Sequence, residues 1–385
     1  MIIPDYQWDG NINLVSSLIN RTWASSEYEE SKYLTSYQLK DYDNIVFFII
    51  DWLGYNWLTN FWKNSFLAQN LLGSITSIFP STTASSVTML TTWKTTQDHG
   101  IMAWNMWSKE FWTIVTPLPW VNTITDEPLT QQINPYDFFE SDTFFNNTKV
   151  DNFVVTHKSF QNSLYNRHHN KGAKTLFYEQ MNECFSQTVE AVFYNKKSKY
   201  IYSYWADFDS FSHTYWINSE KTFQHFEDID YQFEKLAKNL SWTNTAIIVS
   251  ADHWQIDIPR ENQIFIDKEH PELEEMLTIP LAGEPRCQYC FVKKERQKDF
   301  KEYVKNNLSF WFEIYDYEEA LENNLFWINT PSSKFKERFG DFVIIATDKY
   351  SLQQNNIVER PNDQFWQHWW ATSREIFVPL IKIET

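Results

Sequence analysis

Short apolar runs alternate along the chain with longer stretches in which apolar residues recur at helical spacing. Residues 44–50 form the clearest run: they are almost entirely aliphatic or aromatic and are followed by Asp51, as is typical of a buried parallel strand. Similar runs occupy residues 153–156, 200–204, 246–250 and 342–346. Helices are predicted for residues 84–90, 173–192, 219–240 and 297–307. Strands that alternate with helices predict an α/β fold, a three-layer α/β/α sandwich with a mainly parallel central sheet.

Side chains that can bind metals follow three of the predicted strands. Asp51 follows the first, Asp209 lies shortly after another, and Asp252 and His253 directly follow a third. In such sheets ligands bind beyond the carboxyl ends of the strands. Asp209 and His213 are four residues apart, so on a helix they share one face, as two ligands of one metal must. Any one of these residues could be an ordinary cap or turn residue, but together they predict a metal site.

Hydroxyl groups are concentrated in the segment 79–86. Five of the six residues from Ser81 to Ser86 are Ser or Thr. Such a cluster is often only a helix cap and a turn. A hydroxyl at a helix N-terminus can also bind and attack a phosphate group.

Two interpretations stay open for His368 as well, which is either a metal ligand or a core histidine in an aromatic segment.

Charge limits the classes of partner. The formal net charge of the 385 residues is −17 at pH 7, which argues against binding to a nucleic-acid duplex or to an anionic membrane. A local positive charge such as a metal ion can still hold a phosphate in an acidic protein. Residues 1–16 lack the pattern of a signal peptide, and the longest apolar run is too short to cross a bilayer. We therefore expect a cytoplasmic protein without a membrane partner.

One segment interrupts the alternation of strands and helices. Between Asp257 and Gly340 charged residues are more frequent, so we predict a single domain over residues 1–385 in which residues 257–340 form a small inserted cap subdomain. Cys287 and Cys290 form a C-x-x-C pair without a second pair, which favours ordinary strand or loop residues over a metal site.

Seven short motifs occur in a fixed order along the chain. They are Ile50-Asp51-x-Leu53-Gly54, Phe79-Pro80-Ser81-Thr82-Thr83-Ala84, Asp98-His99-Gly100-Ile101, Asp209-x-x-x-His213, Ser250-Ala251-Asp252-His253, Gly283-Glu284-Pro285-Arg286, and His368 followed by Glu375-x-x-Val378-Pro379-Leu380-Ile381. Each is weak by itself. In this order, from about Ile45 to Ile381, the sequence resembles the alkaline-phosphatase superfamily, and within it the type I phosphodiesterase and nucleotide pyrophosphatase branch.

The resemblance implies a hydrolase with two divalent metal ions. One ion would be held by Asp51, Thr83, Asp252 and His253, and the other by Asp209, His213 and His368. Zinc fits the mixed oxygen and nitrogen ligands best, with manganese or magnesium as alternatives. The resemblance further implies that the Thr83 hydroxyl attacks phosphorus and that water then releases the phospho-enzyme. The implied substrate is a small-molecule phosphate ester or a nucleotide.

Several functions remain open within this resemblance. A phosphodiesterase or nucleotide pyrophosphatase is the leading prediction; the alternatives are a phosphomonoesterase, a phosphomutase, or a metal-binding scaffold without activity. In the leading branch an Asn after the His-Gly-Ile motif binds phosphoryl oxygens. That position falls here on Trp104, so either Asn105 takes the role or the role is unfilled. Phe160, Tyr165 and Tyr178 are candidates for stacking on a nucleobase.

The numbers of tryptophan and glycine residues are unusual. The chain has 19 Trp and 7 Gly, whereas average usage would give about 27 Gly. Several Trp residues stand where the family has Gly, which is needed for a positive φ angle or for close approach of the backbone; they are Trp52, Trp93, Trp254, Trp369 and Trp370. Our hypothesis is that their codons are UGA, translated here as Trp but read as Gly in the source organism. An indole at these places would be expected to crowd the metal-binding oxygens.

Overall fold

The computed structural model describes residues 3–326, 330–354, 366–368 and 376–385, without the side chains of residues 213, 257 and 366–368. The strands are β1 (Asn44–Ile50), β2 (Leu71–Thr76), β3 (Met106–Ser108), β4 (Thr113–Thr116), β5 (Val121–Asn122), β6 (Asp151–His157), β7 (Lys174–Tyr178), β8 (Lys199–Trp205), β9 (Thr245–Ser250), β10 (Gln255–Asp257), β11 (Gln263–Phe265), β12 (Ala282–Glu284), β13 (Cys287–Cys290), β14 (Phe312–Asp316), β15 (Phe342–Ala346), β16 (Ser351–Gln353), β17 (Trp366–His368) and β18 (Phe377–Glu384).

The α-helices lie between these strands. They are α1 (Asn11–Arg21), α2 (Tyr55–Phe61), α3 (Phe66–Gln69), α4 (Thr83–Thr92), α5 (Thr96–His99), α6 (Pro135–Phe138), α7 (Leu164–His169), α8 (Met181–Phe193), α9 (Asp207–Tyr215), α10 (Glu220–Leu240), α11 (Ile266–Glu269), α12 (Pro271–Glu275), α13 (Gln297–Asn307), α14 (Tyr317–Glu322) and α15 (Ser333–Phe339). Among the helices of the described residues, none combines the length and the apolar character that crossing a membrane requires.

The central sheet has the strand order β2-β18-β9-β1-β8-β6-β7. Strands β9, β1, β8, β6 and β7 are parallel, whereas β18 is antiparallel to both β2 and β9. Every residue of β1, β8 and β9 is buried, which explains their nearly continuous apolar sequences. The predicted α/β/α sandwich with a mainly parallel sheet is confirmed.

Two segments fold differently from their predicted patterns. Residues 342–346 form β15, which pairs antiparallel with β13 and β14 and does not join the central sheet. Residues 173–192 contain the edge strand β7, paired with β6, and only then helix α8. A short apolar run does not specify its partner, because pairing is decided by side-chain packing across the sheet.

The segment 257–340 contributes most of a second sheet, with the strand order β12-β13-β15-β14. An apolar core between Ile264 and Leu352 belongs to this part of the chain. Another apolar cluster packs Phe79 against Tyr289 and so joins this sheet to the start of helix α4. An inserted cap subdomain stays a prediction, and the pairing of β15 implies that such a unit extends past Gly340 to Ala346.

Positive φ angles provide independent support for the glycine hypothesis. Ten non-glycine residues in the described part of the chain have a positive φ angle; four are Asn or Asp and six are Trp, namely Trp23, Trp52, Trp93, Trp112, Trp120 and Trp216. Asn and Asp tolerate this conformation, whereas a bulky side chain is a clear outlier. Trp93 ends helix α4 with φ 51° and ψ 29°, the left-handed conformation in which glycine commonly ends a helix.

We expect glycine at exposed positions of this set to stabilise the fold. Trp23→Gly, Trp112→Gly and Trp216→Gly should each raise the free energy of unfolding by about 0.5–1 kcal/mol, because relief of the left-handed conformation outweighs the greater chain entropy of glycine. Urea unfolding of each variant provides the measurement. Trp242→Gly is the matched control, since Trp242 is 94% exposed and is not in the positive-φ set. An equal gain in the control would contradict the explanation.

The coding sequence tests the same hypothesis directly. We predict UGA codons at residues 52, 93 and 254, and also at residues 369 and 370, which lie outside the described residues. UGG at positions 52, 254, 369 and 370 would refute the hypothesis, and the chain would then be a genuinely tryptophan-rich protein.

Candidate active site

Neighbouring strands of the central sheet bring several predicted ligands to one edge. Strand β1 is paired in parallel with β8 and β9, so Asp51 after β1 lies beside Asp252 and His253 after β9. The amide of Asp51 donates a hydrogen bond of 2.9 Å to the carbonyl of Trp205 at the end of β8. Asp51 is 4% exposed, and Asp252 and His253 are fully buried. The parallel pairing therefore places these ligands together.

Thr83 joins this cluster from helix α4. Its Oγ1 lies 2.8 Å from Nε2 of His253. The same nitrogen is 3.6 Å from Oδ1 of Asp51 and 3.5 Å from Oδ2 of Asp252. One ligand atom from each of Asp51, Asp252 and His253 lies within 4.8 Å of the others. The four residues predicted to hold the first metal are thus brought together.

Electrostatics of the cluster favour a cation. Burial, followed by the charges of Asp252 and Asp209, raises the pKa of the Asp51 carboxyl well above its ordinary value, because desolvation and like charges disfavour ionisation. Within the described residues, Oδ1 of Asp51 and Oδ2 of Asp252 are buried and have no hydrogen-bond partner. Buried polar atoms of this kind are costly, and a divalent cation would satisfy both. The carboxylate, imidazole and hydroxyl donors fit zinc, manganese or magnesium.

Helix α4 begins at Thr83. Thr82 is extended, with φ −130° and ψ 149°, and its carbonyl accepts the first helical hydrogen bond, of 2.9 Å, from the amide of Ser86. Thr83 therefore lies at a helix N-terminus, where backbone N–H groups and the helix dipole favour an anion. It opens onto a cavity that is also lined by Asp51 and Asp209.

The second predicted metal set is described only in part. Asp209 is in the first turn of α9 and lines the cavity beside Thr83. His213 is one helical turn further along α9, and its side chain lies outside the described residues. His368 is on β17, where it is paired with Gln255 of β10; its side chain is also outside the described residues. The ligand roles of His213 and His368 therefore stay predictions.

Besides the carboxylates, the wall of the cavity includes several aromatic side chains. Phe160, Tyr165, Tyr202 and His169 are part of this wall. Tyr178 is the third candidate for stacking on a base. It is buried, and its hydroxyl donates a hydrogen bond of 2.7 Å to the backbone carbonyl of Tyr204 in β8. Phe160 and Tyr165 consequently remain the candidates that can face a ligand.

Asn105 is engaged away from the cluster of carboxylates. Its Oδ1 accepts hydrogen bonds from the hydroxyls of Thr116, at 3.0 Å, and Thr123, at 3.4 Å. These residues belong to the β3-β4-β5 region, and the preceding residue, Trp104, lines the cavity. These hydrogen bonds use the amide oxygen, whereas a phosphoryl oxygen would need the Nδ2 donor, so the catalytic role of Asn105 stays a prediction.

Two residues that contact the site had no role assigned from sequence. Tyr204 donates its hydroxyl to Oδ2 of Asp51. Parallel pairing could have indicated this, because Tyr204 is the register partner of Ile49 in β1. Glu284 accepts a hydrogen bond of 2.8 Å from the hydroxyl of Thr82, next to the predicted nucleophile. Only its place in a family motif pointed to it.

The indoles of Trp52 and Trp254 pack in the core. Their ring centroids are 4.6 Å apart, and the Trp52 ring also packs against Phe208. Trp254 covers Gly54 so closely that an added Cβ would lie 2.2 Å from the indole. This packing corrects the expectation that these two rings crowd the metal-binding oxygens. Trp369 and Trp370 lie outside the described residues.

Comparisons with known proteins agree with this fold, which is that of the alkaline-phosphatase superfamily. The sequence model of the type I phosphodiesterase / nucleotide pyrophosphatase family matches residues 58–370, and the chain belongs to this family. Its members include hydrolases of phosphate esters, and the family is metal-dependent. No curated protein sequence matches the chain.

Solved structures show the likeness at the level of the fold. Murine ectonucleotide pyrophosphatase / phosphodiesterase 5 is similar with a TM-score of 0.68 at 16% identity, over 87% of both chains. An inactive variant of the murine protein in complex with AMP has a TM-score of 0.65 at 16% identity, again over 87% of both chains. Phosphonoacetate hydrolase from Sinorhizobium meliloti 1021, in complex with phosphonoformate, has a TM-score of 0.63 at 13% identity, over 88% of this chain and 89% of that one.

We expect zinc to bind the carboxylate cluster and to stabilise the fold. At 100 times its dissociation constant, a ligand that binds only the folded state adds about 2.7 kcal/mol to stability. Asp252→Asn should remove most of this gain, whereas Asp207→Asn, at the start of the same helix as Asp209, should keep it. Calorimetric titration and thermal unfolding with and without zinc provide the measurement. Equal zinc binding by both variants would rule the cluster out.

Proposed function

We propose that the protein hydrolyses a phosphodiester or a nucleotide pyrophosphate through a phospho-threonine intermediate at Thr83. The single observation that carries this proposal is the position of the Thr83 hydroxyl at a helix N-terminus, 2.8 Å from His253 and beside the buried carboxylates of Asp51 and Asp252. We further propose two divalent metal ions, with the ligands that the family resemblance implies. They are Asp51, Thr83, Asp252 and His253 for one ion, and Asp209, His213 and His368 for the other.

The chain's own residues support a two-step displacement. The oxygen of Thr83 gives up its proton and forms a bond to phosphorus while the bond to the oxygen of the leaving group breaks, and that oxygen takes up a proton as it departs. Water then cleaves the phospho-threonine: its oxygen bonds to phosphorus and one of its protons restores the hydroxyl. The N–H groups of the first turn of α4 favour the phosphoryl oxygens, and Nε2 of His253, 2.8 Å from Oγ1 of Thr83, would hold the same cation as that hydroxyl. When bound, divalent cations would lower the pKa of that hydroxyl and stabilise charge on the leaving oxygen.

The cavity favours a substrate with a sizeable organic group. Phe160 and Tyr165 are among the residues that line it, and aromatic rings can stack on a nucleobase. The murine relative's inactive variant was solved with AMP. A phosphodiester carries an organic group on each side of phosphorus, and one of these groups could lie against the aromatic residues of this wall.

Turnover of a chromogenic diester tests the proposal. We expect zinc-dependent hydrolysis of bis-p-nitrophenyl phosphate, with a lower kcat/KM for p-nitrophenyl phosphate. Thr83→Ala should lower kcat by at least about 1000-fold, since removal of a nucleophile abolishes the covalent route. Thr83→Ser keeps a hydroxyl and is the matched control. Both variants should be measured in the chain with Trp at residues 52 and 93, and again in the variant Trp52→Gly/Trp93→Gly.

Other outcomes select among the alternatives. A preference for the monoester would keep the site and make the protein a phosphomonoesterase. Hydrolysis that survives in Thr83→Ala would contradict the phospho-threonine intermediate. No turnover of esters or nucleotides by zinc-loaded protein would leave a phosphomutase or a metal-binding scaffold without hydrolytic activity.

A further inference from the structure

Glu284 is a buried acid outside the metal cluster. It ends strand β12 of the second sheet and is fully buried. Its Oε1 accepts hydrogen bonds from the Thr82 hydroxyl, at 2.8 Å, and from the backbone amide of Trp104. Its Oε2 is buried and has no hydrogen-bond partner among the described residues. One oxygen of this side chain thus holds two segments that border the cavity.

The contact with Thr82 changes how helix α4 begins. Thr82 is the N-cap residue, and an N-cap hydroxyl ordinarily accepts a hydrogen bond from an N–H of the first turn. Here Thr82 makes no side-chain cap, and its hydroxyl is instead turned toward Glu284, to which it donates. The first turn therefore lacks the acceptor that would compete with a bound anion.

Strand β12 lies close to the loop that contains Trp104 and Asn105. Gly283 donates its amide to the carbonyl of Asn105 at 2.6 Å, so consecutive residues of β12 contact consecutive residues of the cavity loop. Gly283 has φ 116°, and a Cβ there would lie 2.3 Å from the carbonyl of Cys287. Only glycine fits such a position, and it sets the Glu284 side chain against Thr82.

We propose that Glu284 is a positioning residue that withdraws the Thr82 hydroxyl from the helix cap and so keeps the first-turn N–H groups of α4 open to the phosphoryl group. The inference rests on the proposed function, in which that group is attacked by Thr83. The inference gives the second sheet a role in the site: the carboxyl of Glu284 in β12 keeps the N-terminus of helix α4 open to an anion.

The protonation state of Glu284 determines which substitution keeps both its charge and its hydrogen-bond acceptor. Burial raises its pKa to about 8, although the hydrogen bonds from Trp104 and Thr82 act in the opposite direction. Its carboxyl therefore carries a proton at neutral pH, on an oxygen that need not accept a hydrogen bond. Glu284→Gln keeps the acceptor and the neutral charge, whereas Glu284→Ala removes the acceptor and frees the Thr82 hydroxyl to cap the helix.

Binding of inorganic phosphate to the zinc-loaded protein tests the proposal, together with kcat and KM for the diester. Glu284→Ala should weaken phosphate binding and lower kcat/KM by about 10-fold, the typical effect of one charge-assisted hydrogen bond. Glu284→Gln should stay within about 3-fold of the unmodified chain. The double variant Glu284→Ala/Thr82→Val should recover phosphate binding, because it lacks the competing hydroxyl. Glu110→Ala, which removes a partly buried carboxylate bonded to Ser108 and Lys334, is the matched control and should leave both values unchanged.

The double variant separates this role from a merely structural one. If Glu284 only stabilised the fold, adding Thr82→Val would not restore phosphate binding, and this outcome would overturn the proposal. Amide exchange at Ala84 and Ser85 gives a readout without catalysis: slower exchange in Glu284→Ala reports a new cap, and unchanged exchange contradicts it. Loss of activity in Thr83→Ala with full activity in Glu284→Ala would leave the proposed function standing and reject this inference.

Discussion

The site depends on the burial of carboxylates at one edge of a parallel sheet. Asp51 and Asp252 follow adjacent strands, and Asp209 faces the same cavity. Burial and like charge make the ionised form of Asp51 unfavourable, and Nε2 of His253 lies 3.6 Å from Asp51 and 3.5 Å from Asp252. A bound cation would compensate the ionised carboxylates, so the proposed metal ions would stabilise this part of the fold.

The proposed nucleophile, Thr83, depends on a different part of the chain. Thr83 is placed by the start of α4, and the cluster that includes Phe79 and Tyr289 packs this start against the second sheet. The carboxylates belong to the central sheet, whereas the acceptor next to Thr83 is Glu284 of β12. The reactive geometry therefore arises where two sheets meet, and a displacement of either one would separate the hydroxyl from its partners.

The sequence predicted the parts of this arrangement that are encoded locally. The strand before Asp51 and the strand before Asp252 are continuous apolar runs, and parallel strands of this kind carry ligands at their carboxyl ends. The contact between Thr82 and Glu284 joins residues 202 positions apart, and no local pattern encodes it. The prediction that grouped residues 342–346 with the strands of the central sheet was wrong for the same reason, because an apolar run specifies a strand without specifying its partner. The contact of Tyr204 with Asp51 could have been predicted in part. Once β1 and β8 are known to pair, their register places Tyr204 beside Ile49.

The residue after Asp51 shows why a positive φ angle matters at this site. Trp52 has φ 73°, and its amide donates a hydrogen bond of 3.1 Å to Oδ1 of Asp252. The amide of His253 donates to the same oxygen at 2.9 Å. Two backbone donors thus occupy Oδ1 and leave Oδ2 for a cation. A conformation that glycine adopts without strain therefore orients a predicted metal ligand, and the indole of Trp52 contributes nothing to that hydrogen bond.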